Sequence, residues 1–162
     1  MTAVTGFSDL VGEHSIIIGL VAACKDDLLT ALAEVAAAAT GAAATEILER
    51  VREREALGST GFGHGAAIPH ARIAGLPGVA VVLARLAQGV DYGALDGEAV
   101  DVAVLLLSPE GAGADHLKAL ARVSRALRDP ASLGAIRDAV DDAEMRQTIG
   151  PGLASRKAAR AA

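Results

Sequence analysis

Two apolar runs, residues 79–86 and 100–107, constrain the fold of this chain more than any other feature. Each is dominated by Val, Leu and Ala with a single charged residue, and neither alternates as a strand with one wet face would. Both therefore read as strands inside a layer covered on two sides. Asp96-Gly97 between them supplies turn chemistry. A third run, residues 16–21, is β-branched and apolar and reads as another buried strand.

The segments around these runs have helical spacing. Lys25-Asp26-Asp27 opens a helix that places Leu28, Leu32, Val35 and Ala39 on one side, and Thr40-Gly41 ends it with a residue suited to a left-handed cap. A second helix, about residues 45–57, has Thr45 as its N-cap and carries Ile47, Leu48, Val51 and Leu57. Its other face is charged: Glu49, Arg50, Arg52, Glu53, Arg54 and Glu55. A third, about 114–127, aligns His116, Leu120, Val123 and Leu127 before Asp129-Pro130 breaks it, and two short helical pieces follow. Gly150-Pro151-Gly152 closes the ordered part. One α/β domain over residues 1–150, in three layers, with a frayed tail over 151–162, is the expectation.

Composition narrows the function classes. Of 162 residues, 52% are hydrophobic and only 2% aromatic, while 37 are Ala, so the core is built of Leu, Val, Ile and Ala. The longest apolar run, residues 16–24, stops at Lys25, short of the ~20 residues a membrane span needs. Met1-Thr2-Ala3-Val4-Thr5 lacks the basic start of a secretory signal. A lone cysteine, Cys24, forms neither an internal disulfide nor a thiolate metal cage. Fifteen Lys+Arg against 20 Asp+Glu give a net charge of −5, and no basic stripe with stacking aromatics speaks for nucleic acid. The expected setting is the cytoplasm, without membrane insertion.

Four histidines are candidates for chemistry: His14, His64, His70 and His116. His70 closes the segment Gly58-Ser59-Thr60-Gly61-Phe62-Gly63-His64-Gly65-Ala66-Ala67-Ile68-Pro69-His70, in which a glycine-rich loop runs into a proline that fixes the backbone. Glycines permit close approach of an anion, and loop N–H groups cradle phosphate, so Ser59, Thr60, Gly61, Gly63 and Gly65 are candidate phosphate-binding positions. The competing reading is a structural His on a loop. His116 falls in the first turn of its helix, where the dipole favours anions, yet on the apolar face, where a satisfied core histidine is the competing reading. Arg54 adds a planar guanidinium suited to phosphate oxygens, against the alternative of a solvated helix face. A three-histidine metal site from His64, His70 and His116 matches no helical ligand spacing. Ser59 and Ser124 lack a nucleophile-elbow setting, and the Gly61/Gly63/Gly65 series precedes a strand rather than opening a helix after one.

The segment ending in Ile68-Pro69-His70 resembles the active-site signature of the enzyme IIA domains of the phosphoenolpyruvate-dependent phosphotransferase system, fructose/mannitol/nitrogen-regulatory type. Ala94-Leu95-Asp96-Gly97, Leu105-Leu106-Leu107-Ser108-Pro109 and Gly113-Ala114-Asp115-His116-Leu117-Lys118 extend the likeness and are closest to the nitrogen-regulatory branch. The resemblance runs from about residue 7 to 149. It implies a central mixed sheet flanked by helices, a phospho-accepting His70, a second active-site histidine at His116 and an arginine at Arg54. It also implies a phosphoryl donor, either the carrier HPr or its nitrogen-branch paralogue. Downstream it implies a regulatory protein target or, in the fructose/mannitol alternative, a separate IIB component. It implies no metal or cofactor. A third alternative is a binding module that keeps the fold without phosphotransfer. Three positions depart from the pattern: His64 replaces a common Asn, Ala66 a common Ile, and Ala71 the Gly usual in the nitrogen branch, Ala being more frequent in fructose-type members. His64 is expected to face solvent.

Overall fold

The computed structural model describes residues 6–150, so the tail expected to fray over 151–162 lies outside the described residues, as do residues 1–5. The strands are β1 (Val11–Leu20), β2 (Gly61–Gly63), β3 (Ala66–Ala67), β4 (His70–Ile73), β5 (Ala80–Val90) and β6 (Val100–Pro109). The helices are α1 (Lys25–Thr40), α2 (Ala44–Ala56), α3 (Gly113–Arg128), α4 (Pro130–Asp138) and α5 (Asp142–Thr148). All six strands form one sheet in the order β1-β5-β6-β3-β2, with β4 also paired to β6. The sheet is mixed. β1 runs parallel to β5, β5 antiparallel to β6, and both β3 and β4 parallel to β6.

The two apolar runs become β5 and β6, paired side by side with Val82 opposite Leu105 and Ala84 opposite Ala103. Successive side chains on a strand point to opposite faces, so two strands without polar alternation must feed two cores. Val82, Ala84, Leu86, Ala103, Leu105 and Leu107 pack against Leu28, Leu32, Ile47 and Val51 of α1 and α2. Val81, Leu83, Val102, Val104 and Leu106 pack against Val123, Leu127, Ile136 and Met145 of α3, α4 and α5. Helices thus cover both faces, and the three-layer α/β arrangement follows from the strand composition. Burial of each Leu- or Ile-sized side chain contributes roughly 1.5–3 kcal/mol.

Local signals set the helix ends. α1 buries Leu28, Leu29, Leu32, Ala33 and Ala36 and stops at Gly41, whose φ of 83° lets its N–H return to the Ala37 carbonyl. Asp129 caps α4 by accepting from the Ala131 N–H, with Pro130 in the first turn.

Three expectations need correction. Thr45 is not an N-cap: α2 begins at Ala44 after Ala43, with no side-chain cap, so Thr45 stands in the first turn. The run at 16–21 is not a fully buried strand but part of an edge strand. β1 pairs only with β5, slips register between Val11 and Ile16, and leaves Ile16, Ile17 and Ile18 half-buried and Val21 exposed. The glycine-rich segment is not an open loop either. β2 and β3 form an antiparallel hairpin whose two turn residues, His64 and Gly65, have φ of 59° and 81°. Positive φ at both central positions is the signature of a type I′ turn, whose twist matches that of paired strands.

That turn accounts for His64. It is the single non-glycine residue at positive φ among those described, and its backbone N–H donates to Asp96 Oδ2 at 3.0 Å. Asn and His tolerate the left-handed region better than most residues, whereas a β-branched side chain there is strained. As expected, the side chain is exposed. His64→Ile is therefore expected to lower the unfolding free energy by about 1–2 kcal/mol relative to His64→Gly, read from paired denaturant titrations. Equal midpoints in the two variants would contradict the turn assignment.

Candidate functional site

β3 and β4 lie end to end along one edge of β6, with Ala66 opposite Val102 and His70 opposite Leu106. The Pro69 carbonyl between them accepts from the Leu106 N–H at 3.0 Å. His70 is accordingly the first residue of a strand and not a loop residue, so sheet pairing as well as the proline holds it. Ala71 and Ile73 enter the core under α1 and α2. The alternation of a strand then sends His70 and Arg72 toward the opposite, α3-bearing face.

Three elements converge on the His70 ring. Its Nδ1 lies 2.8 Å from the Ile68 carbonyl oxygen. A carbonyl can only accept, so Nδ1 carries the proton and Nε2 presents its lone pair. Arg54, in the last turn of α2, donates from Nε toward His70 Nε2 at 3.3 Å and from Nη1 to the Gly58 carbonyl at 3.0 Å. From the other face, α3 brings the His116 ring to 5.5 Å from the His70 ring, centroid to centroid, at an interplanar angle of 49°. His116 is only 6% exposed, and its Nδ1 pairs with Ser108 Oγ at 2.7 Å. The core-histidine reading and the anion-site reading thus both describe it: one nitrogen is satisfied inside, and the ring faces His70.

These side chains line an open cavity of about 370 Å³. Arg54, His70, His116 and Arg72 supply its polar wall, Arg50 and Glu53 a paired rim, and Leu57 and Ala71 its apolar part. Burial depresses the pKa of His70 below its usual value, a trend that the nearby Arg54 charge reinforces and that the Ile68 hydrogen bond and Glu55 oppose. Burial likewise depresses His116, with further contributions from His70 and Arg72. Both rings are held toward the neutral form, in which one nitrogen has an available lone pair.

Ser59, Thr60, Gly61, Gly63 and Gly65 do not line this cavity. The Thr60 N–H donates to Glu55 Oε1 at 3.2 Å, its hydroxyl pairs with Glu55 and with the Tyr92 hydroxyl at 3.0 Å, and the Gly61 N–H donates to Ser59 Oγ at 3.1 Å. Gly63 packs by Asp96, and a side chain on Gly65 would meet Arg137. Their backbone groups serve the hairpin, so the loop that composition suggested as a phosphate cradle acts here as a brace. His64 lines a separate cavity with Asp101 and Arg137, away from His70 and His116.

A brace of this kind was not legible from the charged face of α2 alone. Glu55, with a side chain only 5% exposed, accepts from Lys25 Nζ at 2.8 Å as well as from Thr60, and Lys25 Nζ also sits 4.3 Å from the Tyr92 ring centroid. The signal was present in spacing: Ile47, Val51 and Glu55 recur every four residues, placing a carboxylate on the buried stripe. Ser108, one residue past the apolar run 100–107, was equally obscured.

Paired histidines, an arginine and a shallow cavity at the edge of a mixed sheet set imidazoles beside a guanidinium, a combination chemically suited to a small anion. Residues 9–150 match the family model described as "Phosphoenolpyruvate-dependent sugar phosphotransferase system, EIIA 2". A nitrogen regulatory protein of Bradyrhizobium diazoefficiens is 45% identical over 122 residues, 75% of this chain and 80% of that protein. The crystal structure of the nitrogen regulatory protein IIA-Ntr from Neisseria meningitidis superposes with a TM-score of 0.84 at 25% identity, covering 88% of this chain and 98% of that one. The mannitol IIA of Escherichia coli (TM-score 0.72, 19% identity, 86% and 98% covered) shares the fold. The chain belongs to the EIIA type-2 family of the phosphotransferase system.

Two outcomes follow from the site. Glu55→Gln removes the charge that Lys25 pairs with and one of the two oxygens that accept from Thr60, so it is expected to cost about 1–3 kcal/mol, read by chemical denaturation. The depressed histidines give a pH signature. Below the ordinary value of 6.5, unfolded chains take up protons that the folded site resists. Stability from this source is full above that pH and falls as pH drops through it toward the folded-state values. The thermal midpoint should decline over that interval in the native chain and decline less in His116→Gln; identical slopes would refute it.

Proposed function

We propose that this chain is a phosphohistidine carrier of the nitrogen-regulatory type, with His70 as the residue that accepts the phosphoryl group. The observation that carries the reading is the pinned imidazole: Ile68 holds the proton on Nδ1, and Nε2 opens onto a cavity walled by Arg54 and His116. The donor is a histidine-phosphorylated carrier protein, HPr or its nitrogen-branch paralogue, and the setting is the cytoplasm where those carriers act.

In the transfer, the His70 Nε2 lone pair forms a new N–P bond as the N–P bond of the donor breaks. The electron pair of the broken bond returns to the donor ring, whose second nitrogen keeps its proton, so the donor leaves as neutral imidazole. The positive charge moves to the His70 ring, with its Nδ1–H still against the Ile68 carbonyl. Such transfer is mainly positioning and charge stabilisation. Arg54 donates to the phosphoryl oxygens once Nε2 is bonded to phosphorus, and His116 donates from its free nitrogen. The phosphorylated and free forms then differ in charge at this surface, which is the signal passed to a regulatory target. The identity of 45% to a nitrogen regulatory protein favours that branch. Ala71 favours the second reading, a fructose-type IIA that passes phosphate to a IIB component.

Incubation with each phosphorylated carrier should label the chain at one acid-labile site. His70→Ala should abolish the label, and His116→Ala or Arg54→Ala should slow labelling by about a hundredfold or more. Normal labelling of His70→Ala would overturn the assignment. Onward transfer to a fructose IIB component would move the chain to the sugar branch.

A further inference from the structure

Around the cavity, Arg54 is engaged by the Gly58 carbonyl and His70, and Arg50 by Glu49 at 3.2 Å and Glu53 at 3.1 Å. Arg72 is different. It lines the same cavity, is exposed, and among the described residues makes no hydrogen bond or ion pair. It leaves β4 two residues after His70, on the same face of the strand, where side chains i and i+2 stand roughly 6.6 Å apart. Between them, Ala71 packs with the core under α1 and α2 and gives the cavity only a small apolar edge. The Arg72 guanidinium reaches the first turn of α3: a methyl group on Gly113 would lie 4.0 Å from Nη2. His116 stands three residues further along that helix.

Arg72 therefore shares the cavity with a second guanidinium and two imidazoles, without a carboxylate partner of its own among the described residues. The one carboxylate on the cavity wall, Glu53, is already paired with Arg50. That arrangement is repulsive when the cavity holds only water, and becomes favourable when a dianion enters. Groups placed this way stabilise the loaded state more than the free one.

We propose that Arg72 is a second guanidinium contact for the phosphoryl group on His70, approaching from the α3 side while Arg54 approaches from α2. This rests on the assignment of His70 as the acceptor. Two forks on opposite sides of the transferring group share its charge during transfer, and afterwards they hold the phosphohistidine. Loss of Arg72 should slow arrival of the phosphoryl group at saturating donor and weaken its retention. A planar fork is needed for bidentate contact, so Lys should restore only part of the effect.

The test uses the full chain with a phosphorylated HPr-type carrier, comparing the native protein, Arg72→Gln and Arg72→Lys, with thermal melts to verify folding. Single-turnover labelling at increasing donor gives the limiting rate and the half-saturating concentration, and ³¹P NMR of the phosphorylated chain gives the second ionisation of the phosphoryl group. The expected result is a limiting rate lowered about tenfold or more in Arg72→Gln, partial recovery in Arg72→Lys, and a phosphoryl ionisation shifted to higher pH in Arg72→Gln. A change confined to the half-saturating donor concentration would overturn the proposal and make Arg72 a docking contact for the carrier. An unshifted phosphoryl ionisation would overturn it too, as would labelling equal to native. If the native chain takes no label at all, the failure lies with the His70 assignment itself.

Discussion

The C-terminal half of β6 is where the fold and the candidate site become one construction. Leu105, Leu106, Leu107 and Ser108 are all essentially without solvent contact. One edge of this stretch pairs with β5 and the other with β4, which sets His70 opposite Leu106. Ser108 then fixes His116 through its hydroxyl, and α3 starts only a few residues past the strand end. A one-residue slip of β4 along β6 would exchange the two faces, sending His70 toward the α1/α2 core and Ala71 toward the α3-bearing face in its place. The Leu-rich core that resists such a slip is thus also what aims the imidazole.

Burial alone would make two adjacent histidines a poor place for charge, and the site exploits this. Both rings are pushed toward neutrality by desolvation, and the neighbouring guanidiniums push the same way. The free site is therefore short of negative charge and rich in donors. Arg54 already donates to the nitrogen proposed as nucleophile, but at 3.3 Å, the long end of the hydrogen-bond range. Such a contact holds the guanidinium close while giving it up at small cost. On the proposed assignment, in-line approach of phosphorus to Nε2 would displace Arg54 Nε from the lone pair onto oxygen, so that bond formation and charge stabilisation would occur together.

Features set by side-chain chemistry over short distances were legible in the sequence. The non-alternating strands announced a two-sided sheet and Gly41 and Asp129-Pro130 marked helix ends, while the shared site of Arg54, His70 and His116 was implied by the family resemblance carried by the segment ending Ile68-Pro69-His70 and the block around His116. Features set by pairing were harder to read. Nothing local in Ile16-Ile17-Ile18 tells an edge strand from a central one, because that depends on which strands come later in the chain. The glycine segment misled for a related reason. Glycine signals permission for positive φ, and both an anion cradle and a tight hairpin use that permission. The dipeptide His64-Gly65 was the local clue to the hairpin, since His is among the few non-glycine residues that tolerate such a position.

That the site sits on an edge strand bears on what it can do. A nucleophile in the central strands would be screened by helices on both faces, whereas β4 has β6 on one side only and leaves the His70 ring half-buried. Helices from the two layers close around that edge, α2 from one face with Arg54 and α3 from the other with His116. The result is rigid behind and open in front. A small-molecule enzyme gains from closing over its substrate, because excluding water strengthens every charge interaction inside. A carrier that exchanges a phosphoryl group with the histidine of another protein needs the reverse: the partner's ring must reach the cavity, and the partner itself excludes the water. The shallow cavity, the half-exposed imidazole and the buried supports behind it match that second requirement.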